Sequence, residues 1–382
     1  MRYTIGQLAE IIDGDRGKNY PKQDEFYPQG YCLFLNTGNV TKEGLTFEEN
    51  QFITKEKDEA LRKGKLKRGD IVYTTRGTVG NAGYYNSNVP YENVRINSGM
   101  VILRANGEIV DARFLYQILK SEYYRPYFKQ YCTGSAQPQL PIKNFSQIYL
   151  NVPDIKTQHR IADILSAYDD LIENNQKQIK LLEEAAQRLY KEWFVDLRFP
   201  GHENTKIVDG VPEGWNRGLL KELISVNYGK DHKKAPDDGN IPVYGSGGLM
   251  RKCNKSLFSG EAVLIPRKGS LNNIMYVDET FWTVDTMFYA TMKQPHTAVF
   301  VYFFVKAFDM YSMNIGAAVP SMTAKILDAM DVVIPDKETM EKFDKRAKTY
   351  FNKIKTLQGQ NNRLKIARDL LLPKLMSGEV EV

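Results

Sequence analysis

IADILSAYDDLIENNQKQIKLLEEAAQRLYKEW, residues 161–193, decides the fold. Taken in alternating steps of four and three, it gives Ile161, Leu165, Tyr168, Ile172, Asn175, Ile179, Leu182, Ala186, Leu189 and Trp193. That is a heptad seam with one polar residue in it. The positions between are mostly charged or polar, among them Asp169, Asp170, Glu173, Lys177, Lys180, Glu183, Glu184 and Arg188. An apolar period of 3.5 keeps one stripe of a helix turned to a partner, so the stretch predicts a coiled-coil helix.

The partner lies 182 residues later. Phe343, Ala347, Tyr350, Ile354, Leu357, Asn361, Leu364, Arg368, Leu371 and Leu375 repeat the series at that offset. Upstream, Gly134, Ala136, Pro138, Lys143, Pro153 and Asp154 recur as Gly316, Ala318, Pro320, Lys325, Pro335 and Asp336. The chain therefore reads as an internal duplication: globular region, long helix, globular region, long helix. The predicted fold class is α+β, two similar mixed α/β domains separated by two long helices that form an antiparallel coiled coil, related by a pseudo-two-fold. The boundaries are 1–154, 155–198, 199–336 and 337–382.

The buried polar residues set the direction of the helix pair. Parallel pairing at the repeat offset would put Asn175 against Leu357 and Asn361 against Ile179. Antiparallel pairing of Asn175 with Asn361 also puts Ile161 against Leu375 and Trp193 against Phe343, so both seams are used end to end. Each amide left unpaired in the other arrangement would cost about 1–3 kcal/mol. Asn175 and Asn361 are accordingly the predicted register residues. The seam is about 50 Å long at 1.5 Å per residue.

At 382 residues, with 42% hydrophobic and 26% charged content, the chain is long enough for two ordinary cores. No apolar run spans a membrane and Met1–Gly6 lacks a signal core, so a cytoplasmic protein with no membrane partner is expected. Cys32, Cys132 and Cys253 are scattered, which predicts neither disulfides nor a metal cluster. In chain order, residues 5–13 read as a short helix and 69–75 as a turn into a strand. Met100–Leu103 is a second strand, Asp111 caps a helix carrying Phe114, Leu115, Ile118 and Leu119, and 147–152 is a strand ended by Pro153. In the second copy, Glu222–Ile224 echoes Glu10–Ile12, Gly260–Ile265 echoes the turn and strand, and Phe300–Phe308 is the matching helix. Residues 198–211 link the copies.

Catalytic patterns are missing. His159, His202, His232 and His296 are isolated from one another and from the cysteines, so no metal site is predicted. There is no phosphate-binding loop, and Gly245-Ser246-Gly247-Gly248 lacks the context of a dinucleotide fingerprint. Asp231-His232-Lys233 has no upstream acidic partner of the kind a metal-dependent nuclease needs. An aminomethyltransferase Asn-Pro-Pro-aromatic stretch is absent too.

Cations are better represented, at a net charge of +6. Lys55, Lys57, Arg62, Lys63, Lys65, Lys67 and Arg68 crowd one segment; Lys230, Lys233 and Lys234, then Arg251, Lys252 and Lys255, form two more. Thr75-Arg76-Gly77 and Arg267-Lys268-Gly269 occupy equivalent glycine-punctuated loops, with Tyr84 and Tyr85 following the first. Such residues can neutralise phosphates and read base edges. The candidate DNA-binding residues are Lys63, Lys65, Lys67, Arg68, Thr75, Arg76, Tyr84, Tyr85, Lys230, Lys233, Lys234, Arg251, Lys252, Arg267 and Lys268. A plain solvated basic surface explains composition equally well.

Gln158-His159-Arg160-Ile161-Ala162-Asp163-Ile164-Leu165-Ser166, Tyr190-Lys191-Glu192-Trp193-Phe194, Val211-Pro212-Glu213-Gly214-Trp215 and Leu371-Leu372-Pro373-Lys374-Leu375-Met376-Ser377-Gly378 together resemble the specificity subunit of Type I restriction-modification enzymes. The second helix departs from the pattern at Glu341-Lys342-Phe343-Asp344. The resemblance implies two target recognition domains, each reading half of a bipartite sequence in double-stranded DNA. It implies that the long helices dock two methyltransferase (modification) subunits, which bind S-adenosylmethionine and methylate adenine, with restriction subunits as a further component where cleavage occurs. This chain would then hold no cofactor and catalyse nothing. Two other readings stand beside it: a coiled-coil adaptor that does not touch DNA, and a self-contained DNA methyltransferase or nuclease.

Overall fold

The computed structural model describes residues 1–134, 137–313 and 321–381. Ala136, Gly316, Ala318 and Pro320, four members of the repeat, lie outside the described residues, as does part of the loop expected at 134–138. The chain divides into two compact units, Met1–Asn175 with Gly359–Val382, and Gln176–Gln358.

In the first unit, β2 (Ala9–Asp13), β3 (Ile71–Thr74), β4 (Ala82–Tyr84) and β5 (Met100–Ala105) form an antiparallel sheet in the order β2-β5-β3-β4. β1 (Arg2–Thr4) pairs separately with β6 (Tyr149–Asn151). Helix α1 (Ala112–Lys120) is capped by Asp111, whose Oδ1 accepts the Phe114 amide at 3.0 Å. Its apolar side, Phe114, Leu115, Ile118 and Leu119, is buried on the sheet, at about 1.5–3 kcal/mol per side chain. Tyr73 stacks on Phe145 beneath it at 4.9 Å. A smaller sheet of Cys32–Leu35, Phe52–Ile53 and Val94–Ile96 is inserted into this frame.

The second unit rebuilds the frame. β8 (Ile224–Tyr228), β9 (Phe258–Pro266), β10 (Met275–Thr283) and β11 (Met287–Met292) run in the order β8-β11-β9-β10, again antiparallel. β7 (Asn216–Leu219) pairs with β12 (Asp331–Ile334), as β1 does with β6. Helix α3 (Ala298–Lys306) lies where α1 does and is buried on nearly every side. The local addition here is a hairpin, Ile241–Gly245 with Gly248–Cys253, joined to β10 through the parallel pair Val243 and Trp282. Matching strand order and direction make the two copies one fold used twice.

Three local expectations need correction. The helix at the start is a single turn, Ile5–Leu8; Ala9–Asp13 is a strand, because pairing with Met100–Ala105 overrides a weak helical period. Strand register sets Ile224 where Ala9 stands, so the Glu222–Ile224 echo slips by three residues. Gly260 is no turn: it sits inside the nine-residue β9.

The two long helices are α2 (Ile155–Tyr190) and α4 (Lys337–Ser377). They start alike. Asp154 Oδ1 accepts the Thr157 amide and Oδ2 the Thr157 hydroxyl, at 3.1 and 2.7 Å; Asp336 takes Thr339 in the same way, at 3.0 and 2.7 Å. Within the first unit, Asn175 Nδ2 donates to Asn361 Oδ1 at 2.9 Å, and Ile161 and Leu165 share a core with Leu372 and Leu375. Ascending numbers on one helix meet descending numbers on the other, so the pair is antiparallel. Within the second unit the same sense holds, with Trp193 against Phe343 at 5.9 Å. Trp193 itself sits in a wider helical turn, Lys191–Val195, that closes α2.

Candidate nucleic-acid interface

Each frame ends its third sheet strand in a loop anchored through the main chain. Beyond β3, the amides of Thr75 and Arg76 both donate to the Gly99 carbonyl, at 2.9 and 3.1 Å, and the Thr75 carbonyl accepts from Leu140 at 2.9 Å. Beyond β9, the amides of Arg267 and Lys268 both donate to the Thr286 carbonyl, at 2.8 and 3.2 Å, and the Arg267 carbonyl accepts from Met322 at 2.9 Å. Thr75 is thus the counterpart of Arg267, and Arg76 that of Lys268. Gly77 and Gly269 follow at φ +68° and +84°, a turn any Cβ would strain. Arg76 and Lys268 both project into solvent.

The remaining candidates divide between the fold and the surface. Lys65 is drawn to Asp58 at 2.5 Å, where Arg95 also binds. Burial alone would raise the Asp58 carboxyl, but the two cations bring it below its ordinary range. The same pocket holds Cys32, whose thiol burial pushes up to about 12. Arg68 lies over the Tyr85 ring at 4.2 Å and donates to the carbonyls of Asn86, Val89 and Tyr91. Tyr85 is buried, its hydroxyl given to the Tyr91 and Glu92 carbonyls. Thr75 is buried and gives its hydroxyl to Gly99. Tyr84 is half-buried and stacks on Tyr116 at 5.5 Å. Arg251 braces residues 232–237 through Asp237 and the His232 and Ala235 carbonyls. The fold therefore occupies Lys65, Arg68, Thr75, Tyr85 and Arg251.

Lys63, Lys67, Lys230, Lys233 and Lys252 are exposed with Arg76 and Lys268, and Arg267 is half-exposed. The side chain of Lys234 lies outside the described residues. In the first unit, Lys67 lines a shallow cleft of about 330 Å³ with Arg68, Arg104 and His159. In the second, Arg267 lies over the faces of Tyr228 and Phe288, at 5.4 and 6.0 Å, and Tyr228 is 54% exposed. The sequence placed Arg267 on this loop without disclosing its aromatic support, which comes from β8 and β11.

A second group escaped sequence reasoning. Asp169 on α2 accepts from Lys120 of α1 at 2.6 Å, from Gln117 at 2.6 Å and from Arg368 of α4 at 2.8 Å. Burial pulls the Lys120 ammonium down to about 8, which leaves it protonated at neutral pH. The available signal was Arg368 itself, a cation at a seam position.

Among the described residues no cluster of His, Cys, Asp and Glu could hold a metal ion, and no helix is long and apolar enough to cross a membrane.

Comparison with known proteins bears on these loops. The Type I restriction modification DNA specificity domain matches residues 1–184 and again 212–365. The HindI specificity subunit of Haemophilus influenzae is 25% identical, over 98% of this chain and all of that protein. The MjaIX specificity subunit of Methanocaldococcus jannaschii is 24% identical, over 85% of this chain and 81% of that one. The crystal structure of the Type I restriction-modification S subunit from M. genitalium has the same fold, at a TM-score of 0.58 and 18% identity, covering 98% of this chain and 95% of that one. Two matches of one domain description, falling on the two copies of one frame, place this chain in the family of Type I restriction-modification DNA specificity subunits.

Proposed function

We propose that the chain reads a two-part target in double-stranded DNA, one half at each globular frame, and carries modification subunits on its long helices. One observation supports this most: the same four-stranded frame presents the same main-chain-anchored loop twice, with Arg76 on one and Lys268 on the other, while the surrounding insertions differ. Loops on a rigid frame are where binding specificity is varied. Exposed apolar side chains on the helices, Ile164, Leu171, Ile366 and Leu370 in the first unit and Leu181 in the second, suit docking of two modification subunits. Those subunits bind S-adenosylmethionine and methylate adenine; this chain binds no cofactor and is not an enzyme, and restriction subunits add to the complex where cleavage accompanies methylation. The assembly works in the cytoplasm, where host DNA is.

The test is to express the full chain with its modification subunits and map methylated adenines across host DNA. A single two-part motif that disappears without this chain is the expected result. DNA binding that is weak and indifferent to salt, with no methylation motif, would leave only the adaptor reading.

A further inference from the structure

Arg267 lies on an aromatic face, as Arg2 does over the Tyr149 ring at 4.5 Å, and differs in what holds it from Arg68, Arg95, Arg104, Arg251 and Arg368. Those five give their N–H groups to carbonyls or carboxylates of the fold. Arg267 is held by ring faces instead, those of Tyr228 and Phe288, which are themselves packed edge to face at 5.0 Å. Its guanidinium makes one long bond, 3.4 Å to the Asp285 carbonyl, and pairs with no carboxylate among the described residues. Its main chain is fixed at both ends, by Thr286 and Met322. A planar cation is thus oriented in advance with most of its donors unspent, next in the chain to exposed Lys268, while exposed Lys230 follows Tyr228 by two residues.

Resting on the function proposed above, we propose that Arg267 reads a guanine in the half-site bound by the second frame. Guanine presents two acceptors, O6 and N7, side by side in the major groove, and the arginine fork matches both at once. The two lysines meet phosphates and set position without reading sequence. Orientation by ring faces lowers the ordering cost of that contact. The first frame lacks the device. Thr75 stands in the place of Arg267, Asp13 in that of Tyr228 and Val101 in that of Phe288; Asp13 is paired with Arg16 at 3.1 Å. The effect therefore belongs to one half-site alone.

The experiment is methylation mapping in cells that express the full chain with its modification subunits, for the wild type, Arg267→Ala and Arg267→Lys. The wild-type motif should carry a fixed G·C pair in the half governed by residues 212–336. Both variants should relax that one position by roughly ten- to a hundredfold relative to its neighbours, leaving the other half unchanged. Arg267→Lys keeps the charge and much of the stem, so it decides the matter should Arg267→Ala fail to fold. An unaltered motif with methylation lowered at every site would mean a phosphate contact and overturn the proposal, as would a wild-type half-site without a fixed guanine. A wild type that yields no two-part motif is a different failure and overturns the underlying function.

Discussion

Asn361 is 6% exposed and Asn175 8%, in a seam that is otherwise mostly apolar. Each satisfies the other: Asn175 Nδ2 gives to Asn361 Oδ1, and Asn361 Nδ2 turns to the Ile172 carbonyl at 3.5 Å. Replacing one partner leaves the other amide buried without its mate, whereas replacing both removes two desolvation costs at once. Asn361→Leu should therefore destabilise the chain by about 1–3 kcal/mol. The double change Asn175→Leu with Asn361→Leu should recover most of that loss. Denaturant melts of the three proteins measure this, and equal losses in the single and double variants would contradict it. This pair was legible in the sequence because a heptad series fixes which residues face the partner, and only two of those facing residues were asparagine. The tied cations were not legible. Whether Lys65 is tied to a carboxylate, or Arg68 to carbonyls, depends on Asp58, Asn86, Val89 and Tyr91, which no local pattern places beside them.

Among the elements, α1, α2 and α4 meet at Asp169. Burial on its own would raise this carboxyl, yet Lys120 and Arg368 outweigh it and hold it below the ordinary carboxylate value near 4. A group whose folded pKa is depressed adds stability above its unfolded value and loses it as pH falls through the folded one. Asp169→Asn should cost about 3 kcal/mol at neutral pH, since it strands two buried cations. The gap between wild type and variant should close as pH drops below about 4. Thermal melts across that range are the measurement; a gap that stays constant with pH would show that charge plays no part. The helices themselves were readable from period and capping residues. The short strands were less so: Ala9–Asp13 pairs because Met100–Ala105 is beside it, and no local pattern in five residues announces that neighbour.

For the molecule as a whole, duplication has a functional corollary. Each frame closes its own core, with its own sheet and its own covering helix. Exchanging residues 212–336 for the matching segment of another family member should alter one half of the methylated motif and leave the other as it was. Methylation maps of the chimaera decide this, and a change in both halves would defeat the idea of separate readers. The 182-residue offset made the doubling visible because the last strand of each frame and the long helix after it kept their spacing between copies. The insertions did not keep theirs, so the sheet at Cys32–Leu35 and the hairpin at Ile241–Cys253 had no counterpart to be read against.

The anchoring of the two glycine-hinged loops bears on how such a protein changes over generations. Thr75–Arg76 and Arg267–Lys268 are pinned by amides and carbonyls, groups that every residue type except proline carries. Neither loop needs the side chain at 76 or at 268 to hold its shape. Mutational drift can deal new side chains to those two positions by single steps while the frame stays folded. Gly77 and Gly269, one residue on, have no such freedom, because their backbone is left-handed and, at Gly269, an added Cβ would come within 2.7 Å of Ser246. Side-chain choice is open at one position and closed at its neighbour.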